Sequence, residues 1–326
     1  MSAVRLGFVG VGWIGLNRMK AIAASGLAEI ALVADTCRHT AGAAAQDVGA
    51  QTATPEMVLV GDVDGVVIAT PSGLHATQAF QALRSGKAVF CQKPLGRTES
   101  ECRAVVDAAR KADRLLGVDL SYRHLAATAA VRDVLASGEL GEVYAADLVF
   151  HNAYGPDKEW FRDPELSGGG CVIDLGIHLV DLALWLLGAP EVSEVTSRLF
   201  SGGEPVDGRQ HVVEDHALAR IDLAKGGALS LACSWNLPAG QEAVIGATFY
   251  GTRGAVSLSN VNGSFYDFRA DRHAGTGRST LVEPPDEWSG RAAVEWTRRL
   301  VDGERFDPAA EELVDLARVL DRIYAR

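Results

Sequence analysis

Basic residues are in short supply: 31 lysines and arginines stand against 42 aspartates and glutamates, a formal net charge of −11. Nucleic acids and anionic membranes both demand a basic surface, so neither is expected as a partner. Cysteine is sparse as well. The five residues Cys37, Cys91, Cys102, Cys171 and Cys233 are odd in number, scattered, and form no C-x-x-C pair. That pattern suits reduced thiols in a cytoplasm rather than a disulfide framework or a zinc site, and no metal is expected. Long apolar runs are missing. The longest, Leu175 to Leu187, contains His178 and Asp181 and is too short to span a bilayer. The chain enters its first strand almost at once, which leaves no room for a signal peptide, and a cytoplasmic location follows as the expectation. There is no H-E-x-x-H, no Walker loop and no G-x-S-x-G, so metal hydrolysis, phosphate transfer and serine chemistry have no support. Internal repeats and low-complexity segments are also lacking.

What is present is length and pattern. At 326 residues and 48% hydrophobic content the chain can hold two globular domains, each with its own core. The run Val4 to Val9 reads as a short buried strand, followed directly by Gly10-Val11-Gly12-Trp13-Ile14-Gly15 and a helix from Ile14 through Ala24. A strand that turns tightly into a helix N-terminus offers unpaired N–H groups and a positive dipole end to an anion. The three glycines do different things: the first permits the turn, the second admits a pyrophosphate, the third lets helix pack on strand. A second strand, Ala28 to Ala34, ends in Asp35, about twenty residues past the last glycine, as the dinucleotide fingerprint requires. A carboxylate there accepts hydrogen bonds from ribose hydroxyls and repels a 2′-phosphate, which favours NAD over NADP. Thr36 follows it, and Arg38 is a complication because a guanidinium can hold that phosphate.

Alternation continues through the first third. A helix over Thr40–Val48 precedes a strand over Gly65–Ala69, which ends in Thr70-Pro71-Ser72. A helix from His75 to Ser85, a strand Ala88–Gln92, a helix Glu99–Ala112 and a strand Leu116–Leu120 complete the set. Such alternation implies a parallel sheet covered on both faces, with ligands at the carboxyl ends of its strands. That rule puts the glycine loop, Asp35, Thr70 to His75 and Gln92-Lys93-Pro94 along one rim. From Tyr122 the rhythm changes. A helix over Thr128–Ser137 and a strand over Val143–Phe150 precede runs of period two, such as Ala219, Ile221 and Leu223, then Leu229, Leu231, Cys233 and Trp235. Consecutive alternating strands indicate an antiparallel sheet with one face on a core. Gly275 to Ser279 reads as a loop, and a terminal helix runs from about Pro308 to Tyr324.

One segment combines apolar character with a polar stripe. After Gly168-Gly169-Gly170 a nearly all-apolar helix carries Asp174, His178, Asp181 and Trp185 at i, i+4, i+7 and i+11. A helix buried on its other faces should turn that stripe toward a wet cleft, where Asp174 would raise the basicity of His178. The bland alternative, a buried Asp–His pair satisfying itself in the core, stands beside it. Lys93 is the other candidate by its position on the rim. Arg123, Trp160 and Arg162 fall in the region joining the domains, where they suit a polyol or serve as packing and surface charge.

Together these motifs resemble the glucose–fructose oxidoreductase/inositol dehydrogenase/rhizopine catabolism family of NAD(P)-dependent oxidoreductases over nearly the whole chain. Gly10 to Gly15 is similar to its dinucleotide loop, Ile68-Ala69-Thr70-Pro71 with His75 to its adenosine-side strand end, and Cys91-Gln92-Lys93-Pro94-Leu95 to its Glu-Lys-Pro signature, whose Lys-Pro bond can be cis. Gly168 to His178 resembles its D-x-x-x-H helix, and Phe249 to Leu258 its G-T-R-G hairpin. The resemblance implies an α/β Rossmann domain with a parallel sheet, residues 1–121, and an α+β domain with a large, open, mostly antiparallel sheet, residues 122–326. The terminal helix is free to pack back on the first domain. It implies a homodimer or homotetramer formed through that second sheet. The implied site comprises Gly10, Gly12, Trp13, Ile14, Gly15, Asp35, Thr36, Arg38, Thr70, Pro71, His75, Gln92 and Lys93 for the cofactor, and Lys93, Arg123, Trp160, Asp174 and His178 for substrate. Lys93 would bind the reacting oxygen, His178 act as acid/base and Asp174 assist it. The expected activity is NAD-dependent oxidation of a secondary alcohol on a sugar, inositol or related polyol. Keto-sugar reduction in a biosynthetic pathway and non-catalytic sensing of dinucleotide and sugar are the alternatives. Two departures stand out: Gln92 replaces the usual glutamate, and Ser72 stands where many members have asparagine.

Overall fold

A computed structural model describes residues 3–206 and 211–325. The chain folds into two compact units, Met1–Ser121 with Ser289–Ala317, and Tyr122–Trp288 with Arg318–Arg326. The sequence suggests one cut after residue 121; the first unit also takes in a late segment.

In the first unit the elements are β1 (Val4–Val9), α1 (Trp13–Ser25), β2 (Ala28–Ala34), α2 (Arg38–Val48), β3 (Gln51–Thr52), α3 (Pro55–Val60), β4 (Gly65–Ile68), α4 (Ser72–Arg84), β5 (Ala88–Cys91), α5 (Glu99–Ala112) and β6 (Leu116–Val118). The strands form one parallel sheet in the order β3-β2-β1-β4-β5-β6, the doubly wound arrangement. Leu6, Phe8, Val66, Val67, Ile68, Val89 and Phe90 are buried, because helices cover both faces of the sheet. Local chemistry sets the helix ends. The Thr98 hydroxyl caps α5 by accepting the Glu101 N–H, with Glu99 and Glu101 in the first turn against the positive dipole end.

Sequence reading misses α9 (Arg291–Val301) of this unit. Its Trp296 packs on Phe90 with ring centroids 5.6 Å apart. Two glycines make the space. A Cβ on Gly65 would lie 2.8 Å from the Trp296 ring, and one on Gly117 2.7 Å from it.

The second unit holds α6 (Ala126–Ala136), β7 (Val143–Asn152), α7 (Pro164–Ser167), a π-helical turn Val172–Gly176, α8 (Ile177–Leu186), β8 (Val192–Ser201), β9 (Glu204–Pro205), β10 (His216–Leu223), β11 (Ala228–Ser234), β12 (Ala243–Gly251), β13 (Gly254–Asn260), β14 (Phe268–Ala274) and β15 (Gly277–Val282). α10 (Glu311–Ile323) closes the chain after a 3₁₀ turn at Pro308–Ala310. The nine strands run β15-β14-β13-β12-β7-β11-β10-β8-β9, antiparallel except for β7 against β11. Burial alternates along them. Ala146, Leu148 and Phe150, with Leu229, Leu231 and Cys233, face the core beneath α8 and the π-helical turn. Gly275–Ser279, expected as a loop, is instead the turn and start of the β14–β15 hairpin, which no hydrophobic alternation advertised because β15 is mostly exposed.

The run Pro164–Leu186, 23 residues, is apolar enough to cross a membrane by length and composition, but 78% of its apolar window is buried inside the protein. It is the core helix of this unit. All five cysteines are free thiols, four of them buried.

Candidate active site

The glycine loop is built for an anion. Gly10 has φ +86°, and a Cβ there would meet the Ala69 carbonyl at 2.5 Å; a Cβ on Gly15 would meet the Gly10 carbonyl at 2.1 Å. Only glycine serves at these two positions. Gly12 is the N-cap of α1 and offers no side chain, so the helix starts with its dipole end uncapped. Trp13 stands 64% exposed beside it. Asp35 ties this loop to the end of β2, accepting the Val11 N–H on Oδ2 at 2.9 Å and the Cys37 N–H on Oδ1 at 2.9 Å. Thr36 and Arg38 lie exposed at the start of α2. An uncapped helix N-terminus, a glycine-only turn and a carboxylate held beside it fit a dinucleotide.

On the neighbouring strand ends two residues expected among the cofactor ligands are buried. His75, expected among the cofactor ligands, lies in the first turns of α4 rather than at its start and is 1% exposed. Its Nδ1 faces the Pro94 carbonyl at 2.7 Å and its Nε2 the Thr70 carbonyl at 2.6 Å. Burial pulls its pKa below the ordinary histidine value, while the two carbonyls act in the opposite direction. It braces the ends of β4 and β5 from beneath the rim. Gln92 is also buried, with its amide N–H given to Asp119. Thr70 donates its hydroxyl to Gln78 at 2.7 Å, and it and Pro71 remain partly exposed on the rim with Lys93. The Lys93–Pro94 peptide is cis.

In the second unit Asp174 lies within the π-helical turn and His178 in the first turn of α8, both partly exposed on an otherwise buried segment. The Trp235 indole donates to Asp174 Oδ2 at 3.1 Å. The His178 ring stacks on Tyr122 with centroids 4.9 Å apart. Burial pushes the Tyr122 hydroxyl far up in pKa, and the negative charge of Asp174 adds to this. Trp160 stacks on Phe161, 3.8 Å between centroids, and Phe161 meets the Trp235 ring edge-on at 6.5 Å. An aromatic wall therefore runs from Asp174 through Trp235 and Phe161 to Trp160.

One member of the expected polar stripe turns inward. Asp181 is 3% exposed and takes both arms of the Arg123 guanidinium, Nε to Oδ2 at 2.9 Å and Nη2 to Oδ1 at 2.6 Å. Arg123 and Arg132 lie over the Trp185 ring at 5.3 and 5.5 Å. Asp174, His178 and Trp185 thus stay partly exposed while Asp181 is buried, and Arg123, expected among the substrate ligands, is engaged by Asp181.

Glu214 carries no signal in the sequence, yet it holds the glycine-rich entry to this helix. Its carboxylate accepts the Gly170 N–H at 2.9 Å, the Val172 N–H at 2.8 Å and the Tyr324 hydroxyl at 2.8 Å. A Cβ on Gly170 would fall 1.8 Å from the Glu214 carbonyl, which explains the glycine. Burial raises the Glu214 pKa, and the donors oppose it.

Comparison with known proteins agrees with this architecture. The family described as "Oxidoreductase family, NAD-binding Rossmann fold" matches residues 4–120, and its partner, the "GFO/IDH/MocA C-terminal domain", matches residues 128–257. The D-glucoside 3-dehydrogenase of Escherichia coli (strain K12) is 31% identical over 212 residues, 62% of this chain and 60% of the relative. The inositol 2-dehydrogenase of Rhizobium meliloti (strain 1021) is 31% identical over 191 residues, 58% of this chain and 57% of the relative. The matches thus span about three fifths of the length of these curated relatives. Among solved structures, GenD2 from gentamicin A biosynthesis, in complex with NAD, superposes with a TM-score of 0.82 at 25% identity, covering 100% of this chain and 94% of that one.

Proposed function

The chain belongs to the GFO/IDH/MocA oxidoreductase family, and from that premise we propose that it transfers a hydride between a nicotinamide cofactor, NAD by preference, and a secondary alcohol of a sugar, inositol or related polyol. The observation that carries the reading is the glycine loop before the uncapped α1, tied to the Asp35 carboxylate through the Val11 N–H. The similarity to a glucoside dehydrogenase and an inositol dehydrogenase supports the polyol class.

When bound, the nicotinamide supplies the hydride acceptor. Gly12, Trp13, Ile14 and Gly15 would hold the dinucleotide's pyrophosphate by backbone N–H groups and helix dipole, while Gly10, whose N–H goes to the Ala34 carbonyl, would shape the turn beneath it. Asp35 and Thr36 take the ribose hydroxyls, Arg38 lies beside them, and Thr70 and Pro71 line the adjoining strand end. His178 takes the hydroxyl proton on a ring nitrogen as general base, a contribution of about 10² to 10⁴-fold. Lys93 stabilises the oxygen as negative charge develops on it. Asp174 orients the imidazole, itself oriented by Trp235, and the Trp160 ring offers an apolar face to the C–H side of a sugar. A homodimer or homotetramer formed through the nine-stranded sheet and a cytoplasmic location belong to the same proposal.

The test is absorbance of the reduced nicotinamide with NAD and with NADP across a panel of inositols and sugars. The His178→Ala protein should bind NAD as wild type does and lose turnover; undiminished turnover would sink the assignment. The opposite direction, reduction of a keto-sugar during biosynthesis, uses the same residues in reverse. Keto-sugars with the reduced nicotinamide belong in the same panel.

A further inference from the structure

Beneath the rim of the first unit lies a buried polar group that the proposed chemistry leaves unused. Asp119, just past the end of β6, is 0% exposed. Its N–H donates to the Cys91 carbonyl at 2.9 Å, which fixes it beside the end of β5. Arg18 of α1 donates Nε to its Oδ2 at 2.6 Å, and the Gln92 amide donates to the same oxygen. Arg18, also buried, gives a further N–H to Asn17 at 2.8 Å. The second carboxylate oxygen, Oδ1, is buried with no hydrogen-bond partner among the described residues.

Charge counting explains why position 92 is an amide. Arg18 and Asp119 neutralise each other, and a buried ion pair tolerates a neutral donor beside it. A glutamate at 92 would put two carboxylates against one guanidinium in a buried site, and one would have to take a proton. The family signature resembled by Cys91 to Leu95 has that glutamate; this chain has its carboxylate one strand away. Gln92 immediately precedes Lys93, and its own N–H donates to the Ile68 carbonyl at 2.8 Å. On the other side of Lys93 the Pro94 carbonyl is held by His75.

We propose that Asp119, backed by Arg18, is the positioning residue for Lys93, and that it supplies from the end of β6 the negative charge which the signature's glutamate would bring at residue 92. Gln92 is the link: its side chain grips the buried anion and its backbone continues into the lysine. The inference rests on the proposal that Lys93 binds the reacting oxygen.

A double-mutant cycle tests it with wild type, Gln92→Glu, Asp119→Asn and the double variant, in the full chain. Each single variant should lose about tenfold or more in kcat with KM little changed. The Gln92→Glu protein should regain activity as pH falls, since protonating one of the paired carboxylates restores the charge count. The double variant, with the charge moved to position 92, should recover most of the loss. Strictly additive losses, or a Gln92→Glu protein equal to wild type at every pH, would overturn the proposal. Should Asp119→Asn fail to fold, Gln92→Glu against the double variant still decides, because the double must be the better enzyme. A wild-type protein that turns over no polyol or keto-sugar would count against the proposed function and not against the Arg18–Asp119–Gln92 triad. The triad is then read from the rate at which an amine-reactive reagent labels Lys93, followed by mass spectrometry; equal labelling in all four proteins would overturn it.

Discussion

The indole N–H of Trp235 points at Oδ2 of Asp174, 3.1 Å away, and so links β11 to the π-helical turn before α8. A hydrogen bond from a fixed neutral donor holds a carboxylate in one rotamer without neutralising it. Trp235→Phe keeps the aromatic wall and deletes the donor. It should lower kcat about tenfold, equivalent to roughly 1.4 kcal/mol, with substrate KM nearly unchanged. Steady-state kinetics check this; an unchanged kcat would remove Trp235 from the site.

Glu214 organises the entry to the same helix. Glu214→Ala strands two buried N–H groups and the Tyr324 hydroxyl, at a cost of about 3 kcal/mol or more. The carboxyl's folded-state pKa is raised by burial, so between the ordinary glutamate range and that raised value the folded protein holds a proton the unfolded chain has released. Stability should therefore decline as pH rises through that window and level off above it. Denaturation of wild type and Glu214→Gln over a pH series isolates the contribution, because the variant lacks this slope.

His75 gives the opposite sign. Its folded-state pKa is depressed, chiefly by burial. Below the unfolded histidine value, about 6.5, the unfolded chain takes a proton that the folded protein refuses. Stability should fall as pH drops from there toward the folded value. His75→Gln should lose that slope in chemical denaturation. It should also weaken cofactor binding several-fold, since the ends of β4 and β5 lose their common brace.

Asp35 joins the glycine loop to β2, and in the proposed function its carboxylate repels a 2′-phosphate. Asp35→Ala should weaken NAD binding about tenfold and narrow the preference over NADP, with the loop losing one N–H acceptor at Val11. Quenching of the exposed Trp13 offers a direct titration with either nucleotide. Unaltered discrimination would assign the choice to Arg38.

Much of the architecture was written locally. Continuous apolar runs such as Val66 to Ile68, set between helical segments, read as strands buried on both faces, and the alternation of Leu229, Leu231 and Cys233 reads as a sheet with one face inward. The glycine loop, the Asp35 terminus of β2 and the single helix carrying Asp174 and His178 are likewise set by spacing along the chain, because backbone geometry fixes neighbours a few residues apart.

Pairing between distant residues was decided by the tertiary fold. No periodicity distinguishes Asp181, which a guanidinium 58 residues away neutralises, from His178, which stays at the surface of the same helix. Nothing around position 214 announces a carboxylate that caps a turn 42 residues earlier. The return of α9 to the first unit depends on space left by Gly65 and Gly117, which only packing makes visible. Hydrophobic patterning records which side of an element faces a core; which buried charge meets which donor depends on elements brought together in three dimensions.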